Sequence, residues 1–494
     1  MPTRVINVGK AADDYVRLEV VKPNQNAAYM ALAHCWGKIQ LLRTLKVNYV
    51  EHQKRIPLTK LTRTFRDAVE VTRQMGIQYL WIDSLCIVQD SKDDWEKEAV
   101  RMGNVSRFAA LTSTAAYSTD GNGGVLRAAY NPARAAVKCT PGAEKAVGHA
   151  YLTYRRRDLS KLQQMPLHTR AWVLQERILA PRTVHYADSQ MLWECRTVRL
   201  CETGVPENAL NSPGATVWDG RLHFEEKALH KFWWNWYDLL HDFTGRGITH
   251  GDDRLPALSG IAHVMEGVTK GGYVAGLWKQ HFPWGLLWRK SSDWLEHPGH
   301  YRAPSWSWAS LDGRVSFPDQ ADIEGGVAKV VRDVEVVKAA TQMASQYDNY
   351  GRVTAGYIHP TGHLISMDAR MDPRDPEYEK LPGTMPSRNL TIDYIRGKKK
   401  RHGTVWFDQQ YPGPGGKLRV LRVARMYGVS VKGEKFWYPS LYYGLVLQAT
   451  GKPGEYRRVG VAENKNLGPS TEGVPLMQQT DLFASSPKQT IVLV

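Results

Sequence analysis

Apolar and polar positions follow two different rhythms along this chain. Residues 26–34 (Asn-Ala-Ala-Tyr-Met-Ala-Leu-Ala-His) form a short, nearly continuous apolar run closed by Cys35-Trp36-Gly37, the pattern of a buried strand with His34 at its carboxyl end. Beyond it, Phe65, Ala68, Val69, Thr72 and Met75 recur at helical spacing, with Thr64 and Asp67 in a capping-box relation. Gly76 stops that helix, and residues 78–83 (Gln-Tyr-Leu-Trp-Ile-Asp) read as a second buried strand ending in the carboxylate of Asp83. Ser91 and Asp94 open another helix through Met102, and residues 110–115 supply a third strand. Strand, helix, strand, helix, strand with short connections predicts a parallel sheet built from right-handed crossovers. Ligands of such sheets bind beyond the carboxyl ends of the strands.

A further helix is expected from Thr169, ended by Pro181, and the alternating residues 183–195 predict a strand or hairpin. Residues 221–300 read as mainly helical and are dense in Trp, including Trp233, Trp234, Trp236, Trp278, Trp284 and Trp288. After residues 305–309 (Ser-Trp-Ser-Trp-Ala) the chain changes to β-branched or alternating runs at 330–337, 418–423 and 442–448, bounded by Gly, Pro or polar clusters. The expected fold class is α/β. It comprises a parallel-sheet domain over residues 1–200, a Trp-rich helical region over 201–310 packed on it, and an antiparallel β domain over 311–494.

Composition narrows the classes. With 494 residues, 43% hydrophobic and 10% aromatic, the chain has enough apolar surface for two or three cores, which excludes a small disulfide scaffold and wholesale disorder. Nothing near Met1 reads as a signal peptide and no run is apolar enough to span a bilayer, so a cytoplasmic protein is expected. Five Cys at irregular spacings read as reduced thiols, and the five residues between Cys195 and Cys201 are no zinc spacing without a second pair. Of the net charge of +16, half falls in residues 391–440, which hold 11 Lys/Arg against 3 Asp/Glu and include Lys398-Lys399-Lys400-Arg401. Such a run can attract nucleic acid, nucleotides or anionic lipid, yet no zinc-finger, RRM or helix-turn-helix signature accompanies it. The glycines at 121, 123 and 124 only echo a phosphate loop, and Gly416-Lys417 is followed by Leu418, so there is no Walker motif.

Candidate chemistry lies in the first 200 residues. Trp172, Glu176 and Leu179 share one helix face at i, i+4 and i+7, which puts a carboxylate where the pattern asks for a core residue. His34 and Asp83, each at a strand end, project from one sheet edge toward that helix. Plainer roles stand beside these: Glu176 paired with Arg177, and Asp83 capping a turn. His34 and Cys35, adjacent on a strand, point to opposite faces and so do not suit a nucleophile pair, and Cys86 suits packing.

The residues just named carry a family resemblance. Ala33-His34-Cys35-Trp36-Gly37, then residues 80–90 (Leu-Trp-Ile-Asp-Ser-Leu-Cys-Ile-Val-Gln-Asp) with Asp94-Trp95 and Glu98, then Arg170-Ala171-Trp172-Val173-Leu174-Gln175-Glu176-Arg177, resemble in order the three blocks of fungal heterokaryon-incompatibility (HET) domains. Ala33 stands where the family has Ser. The resemblance implies a role in non-self recognition and cell death, and a further similarity to TIR domains, whose sheet is flavodoxin-like. Some TIR domains cleave NAD with a helix glutamate four residues after a Trp, the spacing of Trp172 and Glu176. By that analogy Glu176 is the catalytic residue, and His34, Cys35, Trp36, Gly37, Asp83, Trp172 and Gln175 contact substrate. The implied substrate is NAD or a related nucleotide, with no bound cofactor or metal; the implied partners are further copies of the chain and other incompatibility proteins. Two alternatives remain open: a non-catalytic scaffold in allorecognition, and the same fold recruited to another reaction such as a step of secondary metabolism.

Overall fold

Every residue of the strand Tyr29–Ala33 is buried, as a strand must be when both faces of its sheet are covered. It belongs to a computed structural model that describes residues 1–126, 134–139, 148–153, 162–188, 190–202, 229–269, 271–291, 295–318, 329–369, 390–396, 399–409, 418–427, 430–431, 434–435, 439–465, 483 and 486–494. The chain divides into two units, residues 1–222 and 223–494.

In chain order the first unit contains β1 (Arg4–Asn7), β2 (Tyr15–Val20), β3 (Tyr29–Ala33), α1 (Tyr49–Lys54), β4 (Ile56–Pro57), α2 (Arg63–Gln74), β5 (Tyr79–Ile82), α3 (Asp83–Cys86), α4 (Lys92–Phe108) and β6 (Leu111–Thr114). A separate hairpin of β7 (Arg134–Cys139) and β8 (Gly148–Thr153) follows, then α5 (Ala171–Leu179), β9 (Arg182–Tyr186), β10 (Met191–Cys195) and β11 (Arg199–Cys201). Nine strands form one sheet in the order β11-β10-β9-β6-β3-β5-β1-β2-β4. Its centre, β5-β3-β6-β9, is parallel. Numbered by their place in the chain, these four strands run 2-1-3-4, the flavodoxin-like order, whose direction reverses between β3 and β6. The expected α/β fold is present. The edges differ from expectation: β1 and β10 pair antiparallel to the parallel core, so the sheet is mixed. A four-residue β1 carries too little pattern to be read from its sequence, and its place is fixed by distant contacts. Arg4 donates to the Cys86 carbonyl at 2.7 Å and pairs with Asp94 at 2.6 Å.

Phe65, Ala68, Val69 and Thr72 of α2 are buried, as their spacing predicts, and Gly76 takes the left-handed conformation (φ +68°) that ends the helix. Thr64 and Asp67 do not form a capping box. Thr62 is the N-cap, the Thr64 hydroxyl accepts from Gly124 N at 3.0 Å, and one Asp67 oxygen accepts from Val125 N and Leu126 N at 2.9 and 3.0 Å. The glycine cluster thus docks on the first turn of α2. A Cβ on Gly121 would come within 2.3 Å of Leu41, so close packing accounts for that glycine without a phosphate. Ser91 does cap α4 by accepting from Asp94 N.

The second unit holds the Trp-rich helices Leu229–Thr244 and Pro256–Thr269 and the antiparallel β-strands. Trp236, Trp288, Trp306 and Trp308 are fully buried, the core role their density implies. Six strands pair in a closed antiparallel ring: Val353–Ala369, Leu418–Tyr427, Pro439–Ala449, Glu455–Lys465, Lys399–Phe407 and Leu390–Arg396. Closure removes the exposed edges that an open sheet would leave. Of the basic stretch 391–440, residues 397–398, 410–417, 428–429, 432–433 and 436–438 lie outside the described residues. No helix among the described residues is long and apolar enough to cross a membrane.

Replacing Asp67 by Ala removes the acceptor of two loop amides. Asp67→Ala is expected to lower stability by about 1–3 kcal/mol in urea denaturation and to speed hydrogen exchange at Val125 and Leu126 while α2 stays protected. Unchanged exchange at both amides contradicts the docking role.

Candidate functional site

His34 follows β3, Asp83 follows β5, and α5 begins at Ala171 with Arg170 as its N-cap residue. The site is built from the connections between these elements. Trp36 donates from Nε1 to Asp83 Oδ2 at 2.8 Å, joining the end of β3 to the end of β5. The other Asp83 oxygen accepts from Ser84 N at 2.7 Å and stands 3.7 Å from His34 Nδ1. Asp83 therefore faces His34 and Trp36 and accepts from the next amide, but it does not cap α3, whose N-cap is Ile82 with no side-chain cap bond. Arg170 reaches the same place from α5, donating to the His34 carbonyl at 2.8 Å, and its charge acts on the Cys35 thiol. The side chain of His34 is 1% exposed and that of Asp83 27%, so the imidazole belongs to the interior and the carboxylate remains reachable.

Three sequence blocks far apart in the chain therefore meet at the carboxyl ends of the parallel strands. Residues 29–176 match the family described as heterokaryon incompatibility protein (HET). This segment is a HET domain. It ties the chain to heterokaryon incompatibility. No curated protein and no solved structure matches the chain.

Within the HET domain, Glu176 keeps part of its surface exposed, while Gln175 beside it is fully buried and Trp172 half-buried. Burial, and next the charge of Asp83, raise the Glu176 carboxyl to about 7; Arg170 opposes them. Arg177 does not neutralise it. That arginine makes a two-pronged pair with Glu194 on β10, at 2.7 and 3.1 Å. Glu194 also takes Arg199 at 2.9 Å and His185 at 3.0 Å, and although burial raises its carboxyl, the Arg177 charge and the bond to His185 hold it well below the usual range. Among the described residues no ion pair forms with Glu176. Neighbouring positions on one helix thus carry opposite assignments: Arg177 is bound into a salt-bridge cluster and Glu176 is held as a desolvated acid.

Burial lowers the pKa of His34, helped by Arg170 and opposed by Asp83, so the imidazole is neutral at pH 7. Its Nε2 has no hydrogen-bond partner among the described residues. The Cys35 thiol is pushed up by burial and packs with Ala33, Leu167 and Val173, which suits a packed thiol better than a nucleophile. Gly37 is in the left-handed region (φ +67°), and a Cβ there would fall 2.3 Å from Asp120 Cβ. The motif's glycine therefore lets the residue 118–126 segment approach the end of β3. Sequence reasoning did not single out Arg170, although it opens the third block. An arginine placed at a helix N-cap, where Ser, Thr, Asp or Asn is usual, was the available signal. Among the described residues no group of His, Cys, Asp and Glu is arranged to hold a metal.

The raised pKa has a sign that can be checked. An unfolded Glu ionises near 4.3 and the native Glu176 near 7, so stability is full at low pH and is lost as pH rises through that interval. Glu176→Gln cannot ionise and escapes the loss. The variant is expected to exceed wild type by up to about 3 kcal/mol at pH 8 and to match it near pH 4, read by urea denaturation. A variant no more stable than wild type at pH 8 would show that the charge is compensated.

Proposed function

We propose that this HET domain cleaves the nicotinamide–ribose bond of NAD or a related nucleotide, with Glu176 as the catalytic carboxylate, and that this activity underlies a cell-death role in heterokaryon incompatibility. The observation that carries the reading is the desolvated, unpaired carboxyl of Glu176, beside Asp83 and below the carboxyl ends of a 2-1-3-4 sheet, where such folds take nucleotides.

The chemistry asks little of the protein beyond charge. As the C1′–N bond breaks, its electron pair leaves with nicotinamide, whose ring becomes neutral without a general acid. The ribose gains oxocarbenium character, which an adjacent carboxylate stabilises; water then adds at C1′ and releases a proton, giving nicotinamide and the ribosyl product. A carboxylate with little water around it acts more strongly than a solvated one, because no solvent shell must reorganise. Trp36 and Trp172, both half-buried, offer stacking faces, and Asp83 would meet the ribose hydroxyls. His34, Cys35, Gly37 and Gln175 then act through their place in the frame that sets these groups.

The bonds that tie up Asp83 and Arg170 also favour a second reading, a scaffold whose motifs serve only the fold. One assay separates the two. Wild type incubated with NAD over a range of protein concentrations is expected to release nicotinamide, steeply with concentration where self-assembly switches it on, and Glu176→Gln is expected to release none. Equal release by both proteins removes Glu176 from the chemistry; a folded wild type that never releases nicotinamide supports the scaffold.

The carboxylate is the working form, so kcat/KM is expected to fall about tenfold per pH unit below 7. Asp83→Asn removes a negative neighbour and is expected to move that fall to lower pH. A profile unmoved by Asp83→Asn would contradict the coupling between the two carboxyls.

A further inference from the structure

A second candidate site lies wholly within residues 223–494. It is a cavity of about 540 Å³, within the size range of small-molecule sites. Ala303, Leu311, Phe407 and Val459 give it apolar walls, and Tyr301 and Tyr357 add aromatic faces. Three arginines also line it: Arg302, Arg457 and Arg458.

Their partners decide what the cavity lacks. Arg458 has its own carboxylate: it pairs with Asp408 at 2.9 Å, donates to the Leu286 and Trp288 carbonyls, and lies over the Trp288 ring, with only its Nε left without a hydrogen-bond partner among the described residues. Arg302 is 6% exposed, donates from Nε to the Ala309 carbonyl at 2.7 Å, and faces Asp312 Oδ1 at 2.9 Å. That same oxygen lies 2.9 Å from Arg254 Nε, so two buried guanidiniums share one carboxylate. The terminal NH2 of Arg302 has no hydrogen-bond partner among the described residues. At the rim Arg457 is exposed and donates to the neutral Gln448 side chain, with no carboxylate partner among the described residues. The main-chain oxygen of Val494, also in the wall, is taken up by Ser305. A buried guanidinium that shares its counter-ion and keeps an open N–H is an unmet demand for an acceptor, in a wall whose own carboxylate, Asp408, is already taken by Arg458.

We propose that this cavity binds a small organic monoanion, an aromatic or aliphatic body carrying one carboxylate, with Arg302 receiving the carboxylate and Arg457 guarding the mouth. A planar carboxylate matches the guanidinium fork. The apolar walls suit its body and would not suit a polyphosphate chain.

Matched probes test this in the full chain: 2-naphthoate and its neutral counterpart 2-naphthamide, titrated by calorimetry. The naphthoate is expected to bind about tenfold more tightly than the amide, the effect of one charge-assisted contact. Arg302→Gln removes the receiving group but also the Ala309 and Asp312 contacts, so two surface variants carry the test. Arg457→Gln is expected to weaken naphthoate binding several-fold, and Ala355→Trp, at an exposed lining position, to abolish it. Equal binding of acid and amide overturns the anion assignment. Naphthoate that fails to bind at millimolar concentration, or binds undiminished to Ala355→Trp, overturns the site.

Discussion

The guanidinium of Arg170, 2.8 Å from the His34 carbonyl, holds α5 against the end of β3, and the rest of the HET site follows from that bond. An arginine at a helix N-cap brings positive charge to the positive end of the helix dipole, which is unfavourable by itself. It is offset because the carbonyl at the strand end accepts from it, and because Glu176 lies close enough for Arg170 to lower its pKa. The second tie, from Trp36 to Asp83, fixes β3 against β5 in the same way. These ties bring the His34 imidazole, the Asp83 carboxylate and Trp36 together at the carboxyl ends of β3 and β5, with the helix of Glu176 tied beside them.

Electrostatics then divides the carboxylates by environment. Glu194 sits among Arg177, Arg199 and His185 and is a strongly held anion, a structural member of the sheet edge. Glu176 has burial, a like charge and one opposing guanidinium, and titrates near neutrality. The domain spends stability on that arrangement, and functional sites are where proteins keep such unfavourable groups.

Much of this was legible in the sequence, for a definite reason. The central strands and α2, α4 and α5 are set by local apolar period, and that period survives in the folded chain from Tyr29 to Leu179. The placement of His34 and Asp83 at strand ends followed directly, whereas Trp172 and Glu176 are half-buried and the buried face of α5 runs through Ala171, Leu174, Gln175 and Ile178. What escaped was set by distant contacts. β1 is held by Arg4 reaching Cys86 and Asp94, Thr64 and Asp67 serve a loop sixty residues away, and Arg177 finds its partner on β10 instead of on its own helix. Closure of the β-strands into a ring depends on pairing Val353–Ala369 with Leu418–Tyr427, which alternation along either strand does not specify.

Glu176 is a desolvated acid whose burial and like-charged neighbour outweigh the one guanidinium, that of Arg170, that opposes them. Carboxyl carbon-13 NMR of protein labelled at Glu, with Glu176→Gln to assign the resonance, measures it directly. The expected result is a carboxyl titrating near 7 that disappears in the variant. A resonance for Glu176 titrating near 4.5 would contradict it, and would leave α5 as a scaffold helix with a solvated acid on its face.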